Sequence, residues 1–319
     1  MMRKQLLWIM VVGLCWGGCA SDDDEEPGIL KPVEPGTNDP VRYDAQVFDG
    51  YDLTRNISYG QNTTQGGEVQ DLRFDFYEPV GDTASSRPVL VYAFGGGFVG
   101  GDKQEALIFA PFFAQSGYTL VAIDYRVIDI ERTPESVVRA VYDAASDMKA
   151  AVRFLKQNYA AYGIDTANIY VGGFSAGAFT ALQSAYLNDI QDIASISPGL
   201  LEYVESRGGI PGNSGNPGTS SAVKGVFNFS GAMLDFEFID ADEPILFSIH
   251  GTNDDVVPFN TGEADESGVT TQGSNLLHQQ ADAIGLTNQL VVVEGGGHSA
   301  PLLCPDCLVQ MRNFVFGQL

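Results

Sequence analysis

The chain of 319 residues carries 41 Asp and Glu against 17 Lys and Arg, a formal net charge of −24, with 44% apolar and 18% charged residues. That length and apolar content can bury the core of a large globular domain, which excludes a disordered or fibrous chain. The charge balance excludes binding to nucleic acid, or to anionic lipid through basic patches. With only three His and four Cys, any imidazole chemistry must choose among three residues.

In chain order, Arg3 and Lys4 precede an apolar run over residues 6–16. The run is too short to span a bilayer, which takes about 18–20 residues, and suits the core of a signal peptide. It ends in Trp16-Gly17-Gly18-Cys19, small residues before a Cys, which resembles the lipobox of bacterial lipoproteins. The resemblance implies a lipoprotein signal peptide over residues 1–18 and acylation at Cys19. Residues 19–46 hold the acidic run 22–26 and four prolines without an apolar period. They read as an acidic Pro-rich tether with an end-to-end distance of about 30 Å. The expected location is the bacterial cell envelope, exported and lipid-anchored to the outer membrane or cell surface, with the anchor as the sole membrane contact. The oligomeric state is left open.

The body, residues 47–319, alternates strand and helix signals. Residues 71–77 alternate polar and apolar, as in a half-exposed edge strand, while 88–94 and 118–124 are β-branched and aromatic runs expected to be covered on both faces. Helices are expected over 104–116 and 137–162, each stopped by a Gly. A third buried strand at 169–171 feeds a helix to about residue 188. Strands are then expected at 225–229, 244–250 and 289–293, with helices at 273–284 and 302–316. This rhythm predicts an α/β fold, a mostly parallel central sheet with helices on both faces. The Gly/Ser/Pro/Asn-rich segment 208–221 is expected to rise above the sheet as part of a small lid spanning 199–221.

The chemistry-bearing motifs fall at strand ends. Gly173-Phe174-Ser175-Ala176-Gly177 is a G-x-S-x-G between strand and helix. So tight a turn needs positions nearly free of side chains two before and two after the Ser, whose Oγ then projects at a helix N-terminus. Gly95-Gly96-Gly97 follows an earlier buried strand, where three glycines let backbone N–H groups approach a developing oxyanion. Gly96, Gly97 and Ala176 are the expected donors. Asp254 and Asp255 lie in an acidic turn after a late strand, and His298 lies in a Gly-rich loop after the last one. The order Ser, Asp, His is that of α/β-hydrolases. The acidic pair offers the acid, while His250 reads as structural and His278 as a helix-face residue.

These motifs together resemble an α/β-hydrolase of the carboxylesterase type, from about residue 56 to the C-terminus. Phe94-Gly95-Gly96-Gly97-Phe98 is similar to the family's H-G-G-G-F, with Phe94 where the family has His. Asp124-Tyr125-Arg126 resembles its D-Y-R, and residues 250–258 fit H-G-x-x-D-x-x-V-P, which puts Asp254 at the acid position with Asp255 as runner-up. The resemblance implies the α/β-hydrolase fold and serine ester hydrolysis of small to medium neutral esters, on small molecules or a polymer, through Ser175, His298 and Asp254. It implies no metal and no organic cofactor. A serine peptidase on the same fold and a non-catalytic binding module are the alternatives. Cys304-Pro305-Asp306-Cys307 is a single C-x-x-C, weak for zinc. With Cys15 leaving in the signal peptide and Cys19 lipidated, these two are expected to pair as a disulfide. Between Lys224 and Arg312 there is no Lys or Arg but thirteen Asp and Glu, so acidity should surround Asp254 and His298 and disfavour anionic esters.

Overall fold

The computed structural model describes residues 41–319. The expected signal peptide, Cys19 and the tether up to residue 40 lie outside these described residues. The last six residues assigned to the tether belong instead to the body. Helix α1 (Val41–Asp44) buries Arg42, whose guanidinium pairs with the buried Asp82 and reaches the Gly117 carbonyl. The Val47 and Phe48 N–H groups both donate to Gln115 O. One cation matched to a buried carboxylate outweighs the polar composition around it, so the domain begins before residue 47.

The elements that follow are β1 (Tyr51–Thr63), β2 (Val69–Pro79), β3 (Arg87–Ala93), α2 (Ala110–Gln115), β4 (Thr119–Ile123), α3 (Pro134–Gln157), α4 (Tyr159–Tyr162), β5 (Ile164–Phe174), α5 (Ala176–Tyr186), α6 (Ile190–Ile196) and α7 (Pro198–Ser206). Then come β6 (Gly225–Phe229), β7 (Ala232–Met233), β8 (Ile245–Gly251), β9 (Thr261–Glu263), β10 (Thr270–Gly273), α8 (Ser274–Ile284), β11 (Asn288–Val293) and α9 (Pro305–Phe316). Eight strands form one sheet in the order β1-β2-β4-β3-β5-β6-β8-β11. The β1/β2 and β2/β4 pairs are antiparallel and all others parallel. Every residue of β3, β4 and β6 is buried. Alternate side chains therefore feed two cores: Val89, Val91, Val121 and Val171 join α3 and α5 on one face. Leu90, Tyr92, Leu120 and Phe227 join α2 and α9 on the other.

Two expectations fail at the edges. Residues 71–77 are not the edge strand, because β1 pairs along β2 and covers it. β1 keeps only a broken alternation, Tyr51, Leu53, Ile57 and Tyr59 about the polar Arg55, with register shifts at Thr54/Ile57 and Ser58/Gly60. The segment 208–221 is likewise no lid. Along one stripe of α3, Lys149, Arg153, Lys156 and Gln157 donate to the carbonyls of Ile210, Pro211, Gly215, Ala222 and Pro217. Ser214 Oγ donates to the buried Asp147, 2.5 Å away. Side chains of α3 thus satisfy a stretch of backbone that has no ladder of its own, holding it against the flank of the fold.

Candidate active site

Ser175 sits between β5 and α5 at φ 53°, ψ −120°, a conformation costly for a residue with a side chain. The turn is held by the Ser175 N–H to Phe229 O at 2.9 Å. It tolerates nothing at its flanks. A Cβ on Gly173 would stand 2.3 Å from Ala93 O, and one on Gly177 2.0 Å from the same atom. The glycines at positions two before and two after the Ser are therefore demanded by packing against β3, as the motif implies.

The loops after β8 and β11 bring the other two groups to this Ser. His298 Nε2 lies 2.9 Å from Ser175 Oγ and its Nδ1 2.8 Å from Asp254 Oδ2. The two loops are stitched together by Thr252 N–H to Val293 O and Asn253 N–H to Gly296 O, while Ser230 Oγ donates to His298 O. Phe174 packs on the imidazole with ring centroids 4.8 Å apart. The Asp254 carboxylate is fully buried. Its Oδ1 accepts from the Val256 and Val257 N–H groups. Its Oδ2 accepts a second bond from His250 Nε2 at 3.1 Å. Burial pushes this carboxyl up, but the bonds from His250, His298 and Val257 outweigh it and hold the group well below the usual carboxylate range. Asp255, one residue on, is exposed. His250 therefore has more than a packing role, because it touches the same oxygen as His298.

Gly96 and Gly97 adopt φ of 126° and 59°, and a Cβ on Gly96 would stand 2.2 Å from Gly100 O. Among the described residues, the N–H groups of Gly96, Gly97 and Ala176 meet no backbone acceptor; Ala176 opens α5, where the helix leaves its N–H unpaired. Phe94 is buried with its ring stacked on Tyr125, centroids 4.3 Å apart. The D-Y-R triplet divides its work: Asp124 pairs with Lys103, Tyr125 donates to Phe94 O, and Arg126 pins Asp147 of α3.

Beside Ser175 opens a narrow pocket with an apolar lining that includes Phe98, Val137, Val141, Phe179, Leu234 and Val257. None of residues 199–221 lines it; the β9–β10 hairpin supplies Ala264, Asp265, Ser267, Val269 and Thr271 instead. This hairpin joins β7 in a separate three-stranded sheet and is clasped to the loop before α3 by Arg132 and Asp265 at 2.7 Å. Its strands are two to four residues long and polar at the tip, too short to announce themselves in the sequence. Cys304 and Cys307 are joined by a disulfide across the first turn of α9, with Cα atoms 5.3 Å apart.

The strand order and the placement of the Ser, Asp and His define the α/β-hydrolase fold. Comparison with known proteins agrees. The BD-FAE family profile matches residues 74–208. A probable isoprenylcysteine alpha-carbonyl methylesterase of Oryza sativa subsp. japonica is 28% identical over 134 residues, 42% of this chain and 28% of that protein. Arylacetamide deacetylase-like 3 of Homo sapiens is 31% identical over 142 residues, 42% of this chain and 33% of that protein. The matched region thus spans about a third of these curated relatives. Among solved structures, the apo form of Thermogutta terrifontis esterase 2 superposes with a TM-score of 0.62 at 20% identity, covering 85% of this chain and 95% of that one.

Proposed function

We propose that the protein is a serine carboxylesterase acting on small to medium neutral esters, carried into the cell envelope as a lipoprotein. The observation that carries the reading is the unbroken line Asp254–His298–Ser175, with both bonds at or under 2.9 Å and the Ser on a strained turn. In this mechanism His298 Nε2 takes the Ser175 proton as Oγ attacks the ester carbonyl. Asp254 holds the imidazole in the tautomer with Nδ1 protonated and stabilises the imidazolium. The tetrahedral oxyanion accepts from the N–H groups of Gly96, Gly97 and Ala176. Collapse breaks the ester C–O bond, His298 returns its proton to the leaving alcohol, and water repeats the sequence to free the acid. The apolar, narrow cavity suits an uncharged acyl or alcohol group, and the methylesterase and esterase named among similar proteins are in keeping with ester chemistry. The lipoprotein part rests on the signal-like run and Trp16-Gly17-Gly18-Cys19.

Turnover of a p-nitrophenyl ester series beside amide analogues tests the activity. Rapid ester cleavage, absent in Ser175→Ala, is expected. Preferential amide cleavage would turn the reading to a peptidase, and no cleavage of any ester to a binding module. Labelled palmitate should enter the full-length chain in a bacterial host but not its Cys19→Ala variant.

A further inference from the structure

The oxyanion loop has a clamp that the Ser-His-Asp line does not include. The peptide unit between Phe94 and Gly95 hands the chain from β3 to the glycines, and both of its ends are held. Its carbonyl, Phe94 O, accepts from Tyr125 Oη at 2.7 Å. Its N–H, on Gly95, donates to Glu105 Oε1 at 3.0 Å. Fixed at both ends, this peptide plane cannot rotate about the chain axis. One residue on, Gly96 O accepts from the Val99 N–H at 3.1 Å. The direction of the intervening Gly96 and Gly97 N–H groups follows from those restraints.

Glu105 is itself placed with care. It sits in a short 3-10 turn, Lys103–Ile108, capped by Asp102 Oδ1 on the Gln104 N–H. Lys103 fastens the same turn to Asp124, the residue before Tyr125, at 2.7 Å. The Glu105 Oε1 atom also accepts from Tyr92 Oη at 2.7 Å, and Tyr92 lies buried in β3. Burial foremost keeps both phenols protonated, so Tyr92 and Tyr125 remain donors across the working pH range. Both arms therefore converge on one peptide from rigid supports.

The geometry points to Glu105 as a positioning residue for ester hydrolysis, acting with Tyr125 to aim the Gly96 and Gly97 N–H groups at the oxyanion. This rests on the carboxylesterase reading, since the aimed groups matter only if an oxyanion forms. A misaimed donor weakens the transition state more than the bound ester, so kcat should fall with KM nearly unchanged.

Two measurements keep the clamp and the esterase reading apart. Hydrogen exchange of the peptide covering residues 94–101 reports loop order without any substrate. Glu105→Leu is expected to speed exchange there at least tenfold, and an unchanged rate would overturn the clamp whatever the enzyme's activity. On p-nitrophenyl acetate, Glu105→Leu and Tyr125→Phe should each lower kcat about tenfold with KM within about twofold, since displacing a donor costs less than the hundredfold or more of removing one. A trifluoromethyl ketone inhibitor should lose affinity by the same factor as kcat. Glu105→Gln, which keeps an acceptor, should recover at least half of wild-type kcat. A full loss in Glu105→Gln, or a rise in KM without a change in kcat, would overturn the positioning role. An inactive wild type with faster exchange in Glu105→Leu would instead overturn the esterase reading and leave the clamp standing.

Discussion

Asp254 Oδ2 accepts from two imidazoles at once, His298 on the substrate side and His250 on the core side. His250 Nε2 faces two acceptors, Asp254 Oδ2 and Val257 O, so it carries the proton. Its Nδ1 takes a bond of 2.7 Å from Ser274 Oγ, which accepts in turn from Asn228 Nδ2. All members of this chain are buried, and a buried network that loses a member exposes the rest to an unpaired desolvation cost. His250→Ala is expected to lower kcat about tenfold and stability by about 1–3 kcal/mol, with His250→Gln milder in both, as read by ester turnover and urea unfolding. The third imidazole reports on stability alone. His278 Nδ1 donates to Asn288 Oδ1, while its buried Nε2 meets no partner. Burial foremost pushes its pKa down to about 4. The unfolded chain binds a proton on this residue below about pH 6.5, so between that pH and about 4 unfolding takes up a proton and stability falls with falling pH. The cost reaches up to about 3 kcal/mol, and His278→Asn, which keeps the Nδ1-like donor, should flatten the pH dependence of the melting temperature over that window.

At the scale of elements, the strand-to-helix turn between β5 and α5 is the least forgiving part of the fold. Gly177→Ala drives a methyl into Ala93 O, and either the turn or β3 must move. Such overpacking against backbone costs about 1–3 kcal/mol or more, so the variant should melt several degrees lower and lose nearly all turnover. This turn was legible in the sequence because its chemistry is local: Ser175 and its glycines are dictated within five residues. β3, β4, β6 and the second half of β5, from Ile169 on, were legible for the opposite reason, being buried on both faces and so largely apolar. The hairpin β9–β10 was not, since strands of three and four polar residues leave no period, and in strand β1 the alternation of Tyr51, Leu53, Ile57 and Tyr59 is interrupted at Arg55 and by two register shifts. Nor was Glu105, whose partner Gly95 lies ten residues away across a turn and whose type alone suggests only an exposed carboxylate. Segment 208–221 misled for a related reason: its composition says loop, but only the α3 side chains say where the loop lies. Arg153 donates to Pro211 O and Gly215 O, at 2.8 Å to each. Arg153→Ala should therefore speed limited proteolysis within 208–221 with little change in kcat.

Across the whole molecule, 33 acidic and 13 basic residues fall from residue 47 onward, so the charge belongs to the domain and not to the segment before it. Like charges repel in the compact state. Between about 0.1 M and 1 M salt the screening length drops from about 10 Å to about 3 Å, and the melting temperature is expected to rise. Over the same range, kcat/KM for an anionic ester should rise relative to that for its neutral analogue, and a ratio indifferent to salt would contradict an acidic approach to Ser175. One further consequence comes from the position of α1. Arg42 is fastened to Asp82 and Gly117, which precede β3 and β4 and so mark the N-terminal ends of the parallel strands. Ser175, Asp254 and His298 follow β5, β8 and β11 at the C-terminal ends, one strand length, about 20 Å, away. The polypeptide thus enters the domain at the pole opposite the catalytic mouth. A bulky group coupled at residue 41 should therefore leave the opening beside Ser175 clear.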